Sequence, residues 1–331
     1  MIAFVGRLSG LRSIVERCVR LLGTGNFSSL SHALRRPSSL AFVRRLVEFL
    51  GDSHTPGSGE LVGVDGMALT LAATQRHQAK RCNRHTVGGG VVWTYAIRAA
   101  RGCCPVKVLK IVEGAWHDTT VMRGVELLAN GPIYLMDRGF YAFDLLEKWL
   151  KDKVRFIVRA RRRSLRYQVL KTISPPRWIG TKRLVEDAVV RLGAAASRKR
   201  LVVRMVRAFL ASGDELILVS DRFDWSAEAI LSAYHKRWHI ERFHRFLKET
   251  LGLAHLYSFH QSGLAFLLYT VLLVALLLFV SAPASGGDTI QVLHQYLRQT
   301  RRALGLGPAW KRNACTRKGR KRKAKDNTQN P

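Results

Sequence analysis

The sequence predicts an α/β fold whose core is interrupted by a β-rich insertion, and three observations carry that prediction. From Glu60 onward, three runs rich in Val, Ile, Tyr and Trp follow one another, ELVGVDGMALTL, VVWTYAIRAA and VKVLKIVEG, and read as successive strands. Helix-period and strand-like stretches then alternate, with TTVMRGVELLAN, PIYLMD, FDLLEKWLKD and VRFIVRA in that order. Between about 161 and 220 the signals are strand-like throughout, in LRYQVLKTI, RLVEDAVVRL, KRLVVRMVRAFL and DELILVS. That section reads as an insertion standing off the core.

The flanks are simpler. Residues 1–58 form a short, basic, helical segment suited to touching DNA, broken at Ser38 and Ser39 after the triplet Arg35-Arg36-Pro37 and followed by the linker GDSHTPGSGE. Arg7, Arg12, Arg17 and Arg20 interrupt the first apolar stretch, so it lacks a signal-peptide core and reads as an amphipathic helix rather than a transit peptide. The main domain spans 59–282. Its last part, Leu264 to Val280, is apolar apart from Tyr269 and Thr270; it is short for a bilayer span and reads as the buried central helix of a globular domain. Residues 283–331 add a helix over about Thr289 to Leu304 and the basic tail RNACTRKGRKRKAKDNTQNP.

Composition narrows the partner. The 331 residues carry 55 Lys plus Arg against 23 Asp plus Glu, a net charge of +32 spread along the chain. Such a surface seeks a polyanion. Because the basic residues are interleaved with aromatics through several folded segments, nucleic acid is favoured over anionic membrane. At 47% hydrophobic residues, the chain can bury a substantial core. Cys18, Cys82, Cys103, Cys104 and Cys315 form no CxxC pair, and their odd number argues against a secreted disulfide framework. Cys82 and His85, with His77 nearby, would be half of a zinc site, but no second pair follows and the segment reads as an ordinary loop.

The chemistry concentrates in ILSAYHKRWHIERFHRFLKETLG, which reads as one helix. At about 100° per residue, Tyr234, Arg237, Glu241 and Lys248 fall within roughly 60° of one another. Ile240, Phe243, Leu247 and Leu251 make a neighbouring apolar stripe that would pack on the core. Two further acids sit on apolar strands: Asp65 in LVGVD, followed by Gly66, and Asp137 ending PIYLMD, followed two residues on by Gly139. Taken singly these residues are bland. Asp65 would be a turn or capping acid, Asp137 a local ion pair with Arg138, and Glu241 a solvated charge. Together, three carboxylates from three distant segments suit phosphodiester chemistry, in which two divalent ions roughly 4 Å apart clamp the attacking and leaving oxygens. Oxygen donors select magnesium or manganese over zinc.

The acid in LVGVDGM, the acid in YLMDRGFY and the spacing Tyr234-x2-Arg237-x3-Glu241-x6-Lys248 resemble the DDE transposases of bacterial insertion sequences, more narrowly the insertion-sequence-four type with its Tyr-Arg-Glu-Lys signature. The resemblance covers about residues 60 to 282. It implies an RNase H-like catalytic core, with the β-rich insertion lying between the second and third acids. It implies that Asp65, Asp137 and Glu241 hold two Mg2+ ions, with Mn2+ as a substitute, for strand cleavage and strand transfer. Tyr234, Arg237 and Lys248 would then hold the backbone of the transposon end, and Trp238 would help distort the terminal DNA. The partners implied are double-stranded DNA, as transposon ends and target, and a second copy of the chain in a synaptic homodimer. No membrane is involved, and the setting is the cytoplasm of a bacterium, at the nucleoid. Two departures stand out: Met67 follows Asp65-Gly66 where small hydroxyl residues are usual, and Leu216 occupies the neighbourhood of a second base-stacking tryptophan. With the short front segment, Met67 leaves a second reading open, a transposase relic that binds DNA without turning over.

His117 and Asp118, after the third strand, read as the capped start of a helix. Trp93, Trp116 and Trp149 read as core, Trp178 and Trp225 lie nearer the insertion, and Arg245 is a generic phosphate contact.

Overall fold

The computed structural model describes residues 26–52, 56–70, 90–98, 104–113, 117–193, 200–251, 253, 261–281 and 289–303. Two helices come first, α1 (Phe27–Arg35) and α2 (Pro37–Asp52). Asn26 starts α1 by accepting the Ser28 and Ser29 N–H groups on its side-chain oxygen. The break falls at Arg36, two residues ahead of the serines, because Pro37 lacks an N–H and fits the first turn of a new helix.

The strands then follow the predicted order. A meander of β1 (Leu61–Thr70), β2 (Gly90–Arg98) and β3 (Cys104–Glu113) leads through α3 (Asp118–Arg123) to β4 (Ile133–Met136), α4 (Phe143–Lys151) and β5 (Arg155–Arg159). Helix α3 is shorter than the expected stretch: its backbone turns out at Gly124, and the Leu128 N–H donates to the Tyr134 hydroxyl instead of continuing the helix. Strand β1 pairs antiparallel with β2 and parallel with β4, and β5 continues parallel to β4.

The section from 161 to 220 supplies β6 (Tyr167–Ser174), β7 (Arg177–Ile179), β8 (Lys182–Leu192), β9 (Leu201–Phe209) and β10 (Glu215–Ser220). Its strands do not stand off the core. They extend one ten-stranded sheet in the order β3-β2-β1-β4-β5-β10-β9-β8-β6, with β7 also on β8. The join is β10 running antiparallel to β5, with Val219 opposite Val158. Apolar runs such as LILVS are buried on both faces and need neighbours on each side. At the far end of the sheet, β6 exposes Val169, Leu170 and Ile173.

The segment after β10 forms α5 (Ala227–His235), α6 (Trp238–Arg245) and a π-turn, Phe246–Thr250; α7 (Gln261–Ser281) and α8 (Thr289–Ala303) follow. No membrane-spanning helix is found among the described residues. The chain itself covers the apolar helix α7: Leu264, Leu268, Val271, Leu272, Ala275 and Leu276 are at most 2% exposed. All but Leu264 of these share one core with residues of α2, α6 and α8 and with Met67 of β1. On the other face of the sheet, Trp149 of α4 and Phe156 of β5 meet ring to ring in a second core beside Val62 and Val64.

One buried ion pair ties the added strands to the helices. Arg204 of β9 and Asp187 of β8 are each 1% exposed and joined twice, Nε to Oδ1 at 2.9 Å and Nη2 to Oδ2 at 3.0 Å. Ser174 donates its hydroxyl to the same carboxylate, and Arg204 Nη1 donates to the carbonyls of Arg222, Phe223 and Trp225. The strand pair therefore grips the loop that ends at Ser226, whose hydroxyl caps α5 by accepting from the Ala229 N–H.

Candidate active site

The parallel register of β1 and β4 brings two of the predicted acids together. Val64 lies opposite Met136, so Asp65 and Asp137, the next residues, come up side by side on strands about 4.8 Å apart. Val62 and Val64 point into one core and Met67 into the other, so Asp65, two residues before Met67, faces the side on which α6 packs. Its carboxylate accepts the Gly66 N–H at 2.9 Å. Asp137 begins a single tight turn, Arg138–Phe140, closed by the Phe140 N–H on the Asp137 carbonyl at 3.0 Å.

The expected single helix is broken between Tyr234 and Trp238. Four N–H groups there, of Lys236, Arg237, His239 and Ile240, donate three residues back rather than four. The flanks bury different stripes: Ile230, Leu231 and Tyr234 pack on the sheet beside Leu135, whereas Ile240, Phe243 and Leu247 join the core around α7. One straight helix would not bury both. The tightened turn still leaves the four signature side chains on the site. Tyr234 donates its hydroxyl to Asp137 Oδ1 at 3.3 Å; Arg237 donates Nη2 to Glu241 Oε1 at 2.8 Å and places Nη1 3.8 Å from Asp65 Oδ2. Lys248, half-buried on the π-turn, is close enough for the charge of Asp65 to act on it.

Charge is unevenly compensated here. Burial pushes the Asp65 carboxyl up to about 7; Arg237 and the Gly66 N–H oppose the rise, while Asp118 and Asp137 add to it. Burial lowers Lys248 below the usual lysine range, with Asp65 acting against that. Burial also works against the Arg237 guanidinium, but Tyr234, Asp137, Glu241 and Asp65 together hold its pKa above the ordinary arginine value. One cation, 5% exposed, thus answers to all three predicted acids.

Asp118 was expected as a helix cap. The residue in the cap position is His117, which makes no side-chain cap bond, and Asp118 lies in the first turn with its carboxylate turned toward Gly139. A Cβ on Gly139 would stand 2.5 Å from Asp118 Oδ2, so the glycine after Asp137-Arg138 is what lets this fourth carboxylate approach. Burial raises its pKa and Asp137 raises it further, against His117 and Arg161. The glycine was visible in the sequence; its reason was not. Trp238 is 56% exposed beside the site, with the Arg237 guanidinium 5.9 Å from its ring. Arg245 is exposed, Trp149 is core as expected, Trp178 is 69% exposed and Trp225 half-buried. The Trp93 side chain, Trp116 and the segment with His77, Cys82 and His85 lie outside the described residues. Met67 is buried against Ile240 and Phe243, which makes it a packing residue under Asp65.

The donors are carboxylate oxygens, the chemistry that magnesium and manganese take and zinc does not require. Asp65, partly buried, and Asp137 place two such groups side by side. Among the described residues, no three His, Cys, Asp or Glu side chains stand close enough to hold a metal ion, and Glu241 is engaged by Arg237 instead.

This arrangement of strand aspartates and a helical glutamate coincides with a family match. The Transposase DDE domain family matches residues 100–277, more than half of the chain and inclusive of Asp137 and Glu241, and the chain belongs to that family. Asp65 precedes the matched span. The chain is similar to the probable transposase for insertion sequence element IS5377 of Geobacillus stearothermophilus, 26% identical over 166 residues, which are 48% of this chain and 43% of that protein. It is also similar to the putative transposase for insertion sequence element IS4SA of Synechocystis sp., 27% identical over 190 residues, 56% of this chain and 52% of the relative. The chain thus spans about half the length of the curated relatives it matches. Among solved structures, the piggyBac transposase synaptic complex with hairpin DNA aligns with a TM-score of 0.38 and 10% identity, over 78% of this chain and 56% of that one.

Proposed function

We propose that this chain is a transposase of insertion-sequence ends, built on an RNase H-like core, that cleaves a DNA strand and joins the freed 3′-hydroxyl to a second phosphodiester. The observation that carries this reading is the pair Asp65 and Asp137, side by side on parallel strands, with Glu241 linked to them through Arg237. In this reading Asp65, Asp137 and Glu241 hold divalent ions, two in number and Mg2+ or Mn2+ in kind. Bound there, such ions supply positive charge to the phosphate oxygens and lower the pKa of a bound water. The chain's own residues place the DNA. Lys248 meets the strand at a phosphate near Asp65, Arg237 offers a forked pair of donors, and the exposed Trp238 indole gives a face on which a displaced base stacks. The +32 charge draws the duplex to the site from a distance. A synaptic homodimer acting in the bacterial cytoplasm, on transposon ends and target DNA at the nucleoid, completes the proposal.

A second reading, a relic that binds DNA without turnover, draws on Glu241 being paired with Arg237 rather than grouped with the aspartates. Labelled end DNA incubated with Mg2+ separates the two. The proposal expects cutting by the parent and at least a hundredfold less by Glu241→Gln, an order of magnitude typical of losing one transition-state contact. Salt-sensitive binding with no cutting by either protein supports the relic, and equal cutting by both removes Glu241 from the chemistry.

A further inference from the structure

Helix α2 is apolar on two faces, and the chain buries only one of them. Leu40, Val43, Val47 and Leu50 turn inward to the core around α7. On the other face Phe42 and Phe49 stand 62% and 71% exposed. Seven residues apart, the two rings lie two turns apart within about 20° of one line, with half-buried Leu46 beside them. A surface helix needs one apolar stripe to hold its own core, so a second stripe is left for a partner.

Charge says which kind of partner. Arg44 and Arg45 are balanced by Glu48 and Asp52, so α2 is neutral in a chain of net charge +32. A DNA backbone or an anionic membrane finds no excess of cations on it. Arg44 is held within the chain, its Nε donating to Glu48 Oε1 at 2.7 Å. Arg45 is exposed and makes no ion pair among the described residues.

We propose that this stripe docks a second copy of the chain, with α2 antiparallel to the α2 of the partner subunit about a two-fold axis near Arg45 and Leu46. A two-fold contact requires a patch that complements itself, and α2 meets the requirement. Antiparallel packing sets Phe42 level with Phe49 of the partner subunit. It also brings Arg45 within one turn of Glu48 of the partner subunit, an acid whose side chain is still 48% exposed beside Arg44. Four phenylalanine rings form the anchor of the contact, and the charges at its border fix its direction. The contact goes beyond the catalytic reading: it gives the homodimer a surface that forms without DNA and without the site acids.

Sedimentation of the full chain without DNA, in chelator, at about 50 μM protein and at about 0.1 M and 0.5 M salt, tests it. A dimer is expected at both, tighter at the higher salt, because screening weakens repulsion between two chains of charge +32 and leaves the apolar contact intact. Joint Phe42→Ser and Phe49→Ser should weaken the dimer at least about tenfold while circular dichroism matches the parent. A parent that is monomeric at both salts overturns the proposal, and so does a dimer that salt dissociates. A dimer untouched by the double variant places the contact elsewhere and overturns it too. Loss of DNA binding in the double variant beside a monomeric parent makes the stripe a DNA contact instead. After oxidation, an equimolar mixture of Phe42→Cys and Phe49→Cys should give a cross-linked dimer, above the parent's background, that neither variant gives alone. In the antiparallel pair two copies of position 42 lie roughly 10 Å apart along the axis, so equal cross-linking by each variant alone refutes that arrangement. No outcome depends on end cleavage, so failure here leaves the reading of Asp65, Asp137 and Glu241 standing.

Discussion

Substituting Asp65 by Asn removes a group whose ionisation the fold resists, and the effect has a definite sign. In the unfolded chain its carboxyl titrates near 3.8, whereas in the folded chain it titrates at about 7. Below about pH 4 the acid is protonated in both states and contributes no difference. As pH rises from 4 to 7 the unfolded state loses its proton first, so folded stability falls by about 1.4 kcal/mol per pH unit, then levels off above the folded value. A gap of roughly three units amounts to about 4 kcal/mol, and the 21% of the side chain still open to solvent trims this toward about 2 kcal/mol. Urea unfolding in chelator, at steps from pH 4 to pH 8, should show Asp65→Asn gaining about 2 kcal/mol over the parent by pH 8 and almost nothing at pH 4. Other acids titrate in the same window, so the quantity to read is the difference between the two curves. A difference that stays flat across the range refutes the claim that burial holds this carboxyl up.

Two further outcomes follow from contacts away from the metal-ligand argument. Gly139→Ala drives a Cβ to 2.5 Å from Asp118 Oδ2 and should force that carboxylate aside; we expect about 1–3 kcal/mol lost in urea unfolding, with at least part of it restored by adding Asp118→Ala. Arg204→Ala leaves Asp187 buried without its partner and three carbonyls of the loop before α5 without their donor, which should cost about 3–5 kcal/mol. Hydrogen exchange should then quicken through the loop 221–226, and unchanged exchange there would detach Arg204 from the positioning of α5.

Much of the site was legible in the sequence because its signals are local or periodic. The runs around Asp65 and Asp137 announce strands, and the spacing of Tyr234, Arg237, Glu241 and Lys248 survives the break between α5 and α6 because the tightened turn shifts the face only slightly. What the pattern could not show is which charges meet. The approach of Asp118 to Gly139 depends on how α3 docks against the turn after β4, and a cap reading is what local propensity alone supports. The continuity of β8, β9 and β10 with the core sheet is likewise invisible to alternation, since a strand's pattern states which face is apolar and not which strand lies beside it.

The sequence by itself therefore determined the order of strands and helices and the positive charge, which follow from composition and period, and it singled out Asp65, Asp137 and Glu241 as candidates. Only the tertiary structure decided that Asp65 and Asp137 stand abreast, that Asp118 joins them, and that Arg237 takes both Asp65 and Glu241. The reason is physical: hydrophobic periodicity acts within one segment, whereas the partner of a buried charge is chosen by strand register and helix docking between segments far apart in the chain.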